Sequence, residues 1–335
     1  VHVGVVSRWV NAASVWGTQR QLTEMARLPF VKEIQPVRRG GRPDPVNIRD
    51  TGGIAAMAGF YGESEEQLTQ INLIALHNAG FTGAGVIVGI LDTGFQRTHD
   101  AFTQSEHLLT VVAEHDFIND DGNTAIEPGD PPGQHSHGTW ILGTLGAYKP
   151  NLLVGGAYNA SFILCKTEDI TSETPVEEDN YVAGLEFIEA NGGDMATASL
   201  GYIDWYTQAD LNGLRAVTTI AVNAATANGV HCCNAAGNEG HDANPLTSHL
   251  IAPADAFKVL TCGAVDNTDL IASFSSDGPS ADGRVKPEVL ARGVNTRTVS
   301  SSDNTTTSGS SGTSLSTPLV ASAVACLIEA HPDWT

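Results

Sequence analysis

Positive charge is scarce in this chain. Its 17 lysines and arginines stand against 38 aspartates and glutamates, a formal net charge of −21. Such a protein cannot hold a nucleic-acid backbone without a local basic patch, and the one basic cluster, residues 38–42, is too short to make one. No nucleic-acid partner is therefore expected. Acidity of this size favours solubility and can accompany salt tolerance or cation binding. Cysteine is sparse as well: five residues, an odd number, at 165, 232, 233, 262 and 326, with no regular spacing. That excludes a disulfide framework. The cysteines sit in apolar runs and read as small buried hydrophobes, and the adjacent Cys232 and Cys233 cannot form an unstrained disulfide. No uninterrupted run approaches the about 18 apolar residues of a membrane span. The N-terminus opens on Val1 without the basic and apolar regions of a signal peptide.

What is present is ordinary globular material: 41% hydrophobic residues, 16% charged residues and 35 glycines. This composition supports a sizeable core and many tight turns, and argues against disorder. Length and patterning suggest three zones. Residues 1–45 form a small segment, with a strand over 9–16, a helix opened by the capping-box pair Thr18 and Gln21 and closed by Pro29, and a second strand over 30–37. Residues 46–66 are rich in Gly, Pro and charge and read as a linker or processing region. Residues 67–335 alternate short apolar runs (86–91, 161–166, 195–200, 230–235 and 259–265) with helical stretches. This predicts an α/β domain whose mostly parallel central sheet is covered by helices on both faces. The chain stops at Thr335 without a helix stop signal, so the C-terminal end of this domain is expected to be truncated.

Four short segments carry chemistry. Asp92 ends a buried strand and precedes Thr93-Gly94; sites in open α/β sheets form at the carboxyl ends of strands. By itself the triplet would equally suit a turn. His137 precedes Gly138 and an apolar stretch that starts a helix, where an imidazole can serve as general base. Ser314 lies in Gly-Thr-Ser-Leu-Ser-Thr-Pro, ahead of a strongly apolar helix that should accommodate Pro318 in its first turn. Unpaired N–H groups and the helix dipole at that end favour developing negative charge. Asn238 follows Ala235-Ala236-Gly237 and can supply a side-chain donor to an oxyanion.

The order Asp, His, Asn, Ser and the four motifs themselves resemble the subtilases, over roughly residues 67–335. The resemblance implies a serine endopeptidase with Asp92, His137 and Ser314 as catalytic triad. Asn238 and the Ser314 N–H would form the oxyanion hole. Ser199, Leu200 and Gly201 would pair with an extended substrate, and Ala235, Ala236 and Gly237 would line a roomy apolar specificity pocket. Residues 1–45 are similar to the end of a subtilase propeptide, an inhibitory and folding partner, with processing expected between about 37 and 63. The resemblance further implies a secreted or cell-envelope protein, monomeric, acting on proteins or peptides. It implies no cofactor for the chemistry, although a structural calcium is possible. The best candidate for that ion, residues 119–123, does not align with an EF-hand loop. Two departures from the family pattern stand out. Arg292 occupies a place where relatives carry proline, on an expected loop, and Leu315-Ser316 follows the nucleophile. A catalytically silent scaffold of the same fold is the alternative.

Overall fold

The computed structural model describes residues 1–36 and 59–334. The first part is a hairpin, β1 (His2–Ser7) with β2 (Ala12–Trp16), followed by α1 (Gln19–Met25). Only the second half of the strand expected over 9–16 is strand. Asn11, at φ 50°, turns the chain ahead of it, a left-handed conformation that asparagine tolerates. The capping box forms as expected: the Thr18 N–H donates to Gln21 Oε1 at 2.9 Å and the Gln21 N–H donates back to Thr18 Oγ1. Among the described residues, 31–36 pair with no strand, contrary to expectation, and Phe30 is left 81% exposed. Val37, the basic cluster and most of the expected processing region lie outside the described residues.

The larger part opens with α2 (Glu65–Gln70) and α3 (Leu73–Asn78) and enters the sheet at β3 (Ile87–Asp92). A short ladder, β4 (Thr103–Gln104) with β5 (His107–Leu108), leads to β6 (Thr110–Asp116) and α4 (Ser136–Gly146). A second short ladder, β7 (Tyr148–Lys149) with β8 (Leu153–Val154), precedes β9 (Ser161–Lys166). Then come α5 (Pro175–Ala190), β10 (Met195–Ala198), α6 (Val217–Ala227), β11 (His231–Ala235), β12 (Val259–Val265) and β13 (Val289–Arg292). The chain closes with the hairpin β14 (Thr296–Val299) and β15 (Thr307–Ser310), then α7 (Thr313–Ala330).

Seven strands make one sheet in the order β13-β12-β11-β10-β3-β9-β6, all pairs parallel. The apolar runs are continuous because both faces are covered. Alternate residues serve the two layers: Val88, Ile90, Phe162 and Leu164 pack with α4 and α7, whereas Leu91, Ile163 and Cys165 pack with α5 and α6. The same alternation sends Cys232 and Cys233 to opposite faces. All five cysteines are buried and free, and burial pushes the Cys233 thiol up to about 12.

Helix α7 has the length and apolar composition of a membrane span, although serines and threonines interrupt its apolar run. Here it is the core helix, lying across β10 to β13 and against α4. Its far end is anchored by Glu329, whose Oε2 accepts the N–H groups of Thr82, Gly83 and Ala84 at 2.6, 2.7 and 3.0 Å.

Candidate active site

Strand register brings the site together. Leu91, Ala198 and Asn234 lie side by side on β3, β10 and β11. One step further along, Asp92, Ser199 and Ala235 therefore form a row at the carboxyl edge. Asp92 is fully buried there. Its Oδ1 accepts the Thr93 N–H at 2.7 Å, and its two oxygens lie 2.8 and 3.0 Å from His137 Nδ1. A carboxylate so placed makes Nδ1 the donor and leaves Nε2 as the basic nitrogen.

His137 is the second residue of α4, and Gly138 explains how the helix gets so close. A Cβ at 138 would lie 2.3 Å from the Gly94 carbonyl oxygen and 3.1 Å from Asp92 Oδ1. Only glycine lets the first turn of α4 press against the end of β3. Gln134, also buried, ties the approach to this helix by donating Nε2 to the carbonyls of Thr93 and Glu168. His99 and His135 prove to be neighbours of the site with a structural role. His99 Nδ1 accepts the Ala101 N–H, which makes Nε2 the donor to the Thr306 carbonyl; His135 Nε2 lies 3.2 Å from that of Ser301. Together they hold the 300–306 loop. Burial lowers the His99 pKa, in keeping with a neutral ring.

Ser314 is the second residue of α7 and is buried. Pro318 is the sixth residue of that helix, two beyond its first four and further in than sequence suggested. Lacking an N–H, it cannot donate to the carbonyl four residues earlier, which is that of Ser314. The Ser199 hydroxyl takes this place, donating to the Ser314 carbonyl at 2.8 Å. In return the Ser314 hydroxyl donates to the Ser199 carbonyl at 3.2 Å. This reciprocal pair is not visible in the sequence, where Ser199 reads only as part of a substrate edge. Asn238, exposed beyond β11, accepts the Thr313 N–H and the Thr313 hydroxyl on Oδ1 at 2.9 and 3.0 Å. Its amide nitrogen is thereby turned away from Thr313.

The two departures behave differently. Ser316 is buried, and its hydroxyl is satisfied by the Thr313 carbonyl at 2.8 Å. Arg292 is not on a loop: it ends β13, is buried, and donates to Gln70 Oε1 at 2.7 Å.

An acidic trio, Asp116, Asp121 and Glu127, brings one oxygen each within 4.8 Å of the others. It overlaps the 119–123 candidate. A calcium ion needs six to eight free oxygen ligands, and Asp116 fits poorly as one. Its carboxylate already accepts from the Ile118 and Asn119 N–H groups and lies 2.7 Å from the Lys166 ammonium.

The carboxyl edge of the parallel sheet thus carries a buried carboxylate paired with an imidazole, and Ser314 at the start of α7 is bonded to Ser199 one strand away, a layout that suits a hydrolase with a serine nucleophile. Residues 83–335 match the peptidase S8 profile, that of the subtilase family. Subtilisin E of Bacillus subtilis is 31% identical over 330 residues, 98% of this chain and 73% of that protein. Subtilisin BL of Lederbergia lenta is 30% identical over 271 residues, 80% of this chain and 85% of that protein. Among solved structures, the CspB protease of Clostridium perfringens aligns with a TM-score of 0.65 at 16% identity, covering 79% of this chain and 88% of that one; at that identity the likeness speaks for the fold. The chain belongs to the subtilase family and is a subtilisin-like serine protease.

Proposed function

We propose that this protease is an endopeptidase that cleaves through an acyl-enzyme, with Asp92, His137 and Ser314 as its triad. The observation that carries the reading is the buried Asp92 carboxylate held 2.8 Å from His137 Nδ1. That contact fixes the tautomer in which Nε2 can receive a proton. A χ1 rotation turns the Ser314 hydroxyl from the Ser199 carbonyl towards Nε2. Oγ then attacks the substrate carbonyl, its proton passes to His137, and the imidazolium delivers it to the leaving amine. Water repeats the sequence to release the acid product. The Ser314 N–H, at the start of α7, and the Asn238 amide receive the oxyanion. Leu200 and Gly201 offer backbone to an extended peptide, which binds as an added strand.

The test is labelling of the full chain with a fluorophosphonate, before and after limited proteolysis, with Ser314→Ala as control. Modification of Ser314 supports the reading. Absence of label in both preparations overturns it.

Asn238→Asp is a sharper probe of the oxyanion role than alanine. Aspartate keeps an oxygen for Thr313 but replaces the donor with negative charge. A loss in kcat of at least about 10²–10³ is expected, with KM much less affected. An unchanged kcat would remove Asn238 from the mechanism.

The first 36 residues fit the role of an attached propeptide. Their β1–β2 hairpin docks on α5. Ser7 Oγ and the Trp9 N–H both donate to Glu186 Oε1, at 2.6 and 3.1 Å, and Arg8 pairs with Glu186 and Glu189. We place the processing region before residue 59. Ser64, already buried, donates to the Val154 carbonyl at 2.6 Å, and Glu63 pairs with Arg297, so residues from about 60 onward belong to the protease body. A secreted or cell-envelope location and a monomeric state belong to the same reading.

A further inference from the structure

We propose that Ile251 fills the floor of the slot that receives the substrate side chain on the amino side of the scissile bond. This protease then selects small residues there (glycine, alanine, serine) and rejects aromatic and long aliphatic ones. The inference rests on the nucleophile reading above and deepens it.

The slot has two walls. One is the segment after β10 and the other the segment after β11. Both are bonded to the nucleophile's turn: the Ser199 carbonyl accepts from Ser314 Oγ, and the Gly237 carbonyl accepts from Thr313 Oγ1 at 3.1 Å. The segment containing Ile251 closes the space between them. The Ile251 N–H donates to the Ala236 carbonyl at 3.2 Å on one wall. Ala252 exchanges two backbone hydrogen bonds with Tyr202, at 2.8 and 3.0 Å, beside the other. Ile251 is thus held by its backbone at the base of the trough.

Each wall carries a glycine at this level, and neither leaves an empty space. A Cβ on Gly201 would lie 2.4 Å from Ile251 Cδ1 and 2.5 Å from Cγ1. A Cβ on Gly237 would lie 3.1 Å from both Ile251 Cγ1 and Cγ2, and 2.7 Å from Ser276 Oγ. One isoleucine side chain therefore spans from wall to wall. Its neighbours Leu250 and Ala252 are completely buried, while Ile251 is half-buried. Of the three, only Ile251 presents surface that a bound side chain could meet.

The small residues at 235–237 read in sequence as room for a large side chain. That room is taken by a residue contributed from further along the chain. A β-branched side chain is stiff about χ1, so Ile251 cannot swing aside as methionine or leucine can. What remains accommodates a methyl or hydroxymethyl group. Discrimination against a group too large for an apolar slot is commonly about tenfold to a few hundredfold.

The experiment uses two peptidyl diphenyl phosphonates that differ only in the residue next to phosphorus, alanine or phenylalanine, and a small fluorophosphonate that has no such side chain. Rates of Ser314 modification are measured by mass spectrometry on the full chain, before and after limited proteolysis. In the wild type the alanine probe should react at least about tenfold faster than the phenylalanine probe. In Ile251→Gly, and in the milder Ile251→Ala, the phenylalanine-to-alanine ratio should rise by about tenfold or more. The inference is overturned if wild type takes the phenylalanine probe at least as fast. It is also overturned if the ratio is unmoved in a variant that the fluorophosphonate still labels. Should neither variant fold, the wild-type ratio decides alone. Failure of the fluorophosphonate on wild type defeats the nucleophile reading, and this inference with it.

Discussion

Asp92→Asn should lower kcat by about 10⁴ without disturbing the fold. The surroundings decide how asparagine must sit. The Thr93 N–H points at Oδ1 from 2.7 Å and requires an acceptor there. The asparagine oxygen takes that place, and its NH2 group is turned towards His137 Nδ1. Nδ1, which faced two carboxylate oxygens, then faces one amide oxygen and one N–H donor, and the donor favours the ring with its proton on Nε2, the nitrogen that should accept from Ser314. The base is then drawn towards the wrong tautomer wherever the ring is neutral. Steady-state kinetics on a peptide substrate, with circular dichroism as the fold control, checks this. A kcat within tenfold of wild type would mean that Asp92 does not set the tautomer.

The second large effect concerns stability. Lys166, the last residue of β9, is almost completely buried beside Asp116, which has no exposure at all, and Asp130. Its Nζ lies 2.7 Å from Asp116 and 2.9 Å from Asp130. Burial works to lower its pKa, but the hydrogen bonds and charges of the two aspartates outweigh it and hold the ammonium above the ordinary lysine range. Lys166→Met keeps most of the volume and leaves a buried carboxylate without its cation. Removing one partner of a buried pair costs about 3–5 kcal/mol, so the denaturant midpoint should fall sharply. Lys166→Met combined with Asp116→Asn should recover part of the loss, because no uncompensated charge remains. If the single variant is as stable as wild type, the pair is not the anchor that its burial indicates.

The strands around the site were legible because they are buried on both faces and therefore apolar throughout: residues 161–166 and 259–265 are strands over those bounds, and Asp92 ends β3. Asp92 was legible for the same reason, as a polar residue at the end of such a run, whereas His137 and Ser314 each stand at the start of an apolar helix. The N-terminal segment was read less well. Its capping box is a local contact between Thr18 and Gln21 and was visible, whereas the pairing of β1 with β2 depends on a turn at Asn11. The remaining features are contacts between residues far apart in the chain. Nothing in the neighbourhood of Lys166 announces Asp116 and Asp130, and Ile251 looks like any apolar residue until the two walls are folded around it. Arg292 reads as a loop residue because it stands where relatives carry proline; a buried arginine that donates to a glutamine from a distant helix has no signature in sequence.

The exchange of hydrogen bonds between Ser199 and Ser314 has a consequence for how this enzyme can change. Proline at 318 withdraws the helix's own donor, so Ser314, the proposed attacking residue, is fastened to Ser199 on the proposed substrate-receiving edge instead of to its helix alone. Recognition and attack then share one frame. A mutation that shifts the edge to admit a new peptide drags the nucleophile along and disturbs its alignment. Altered preference is more readily reached by recarving side chains within a fixed cleft than by moving the cleft's margins, which makes the chemistry durable while selectivity drifts.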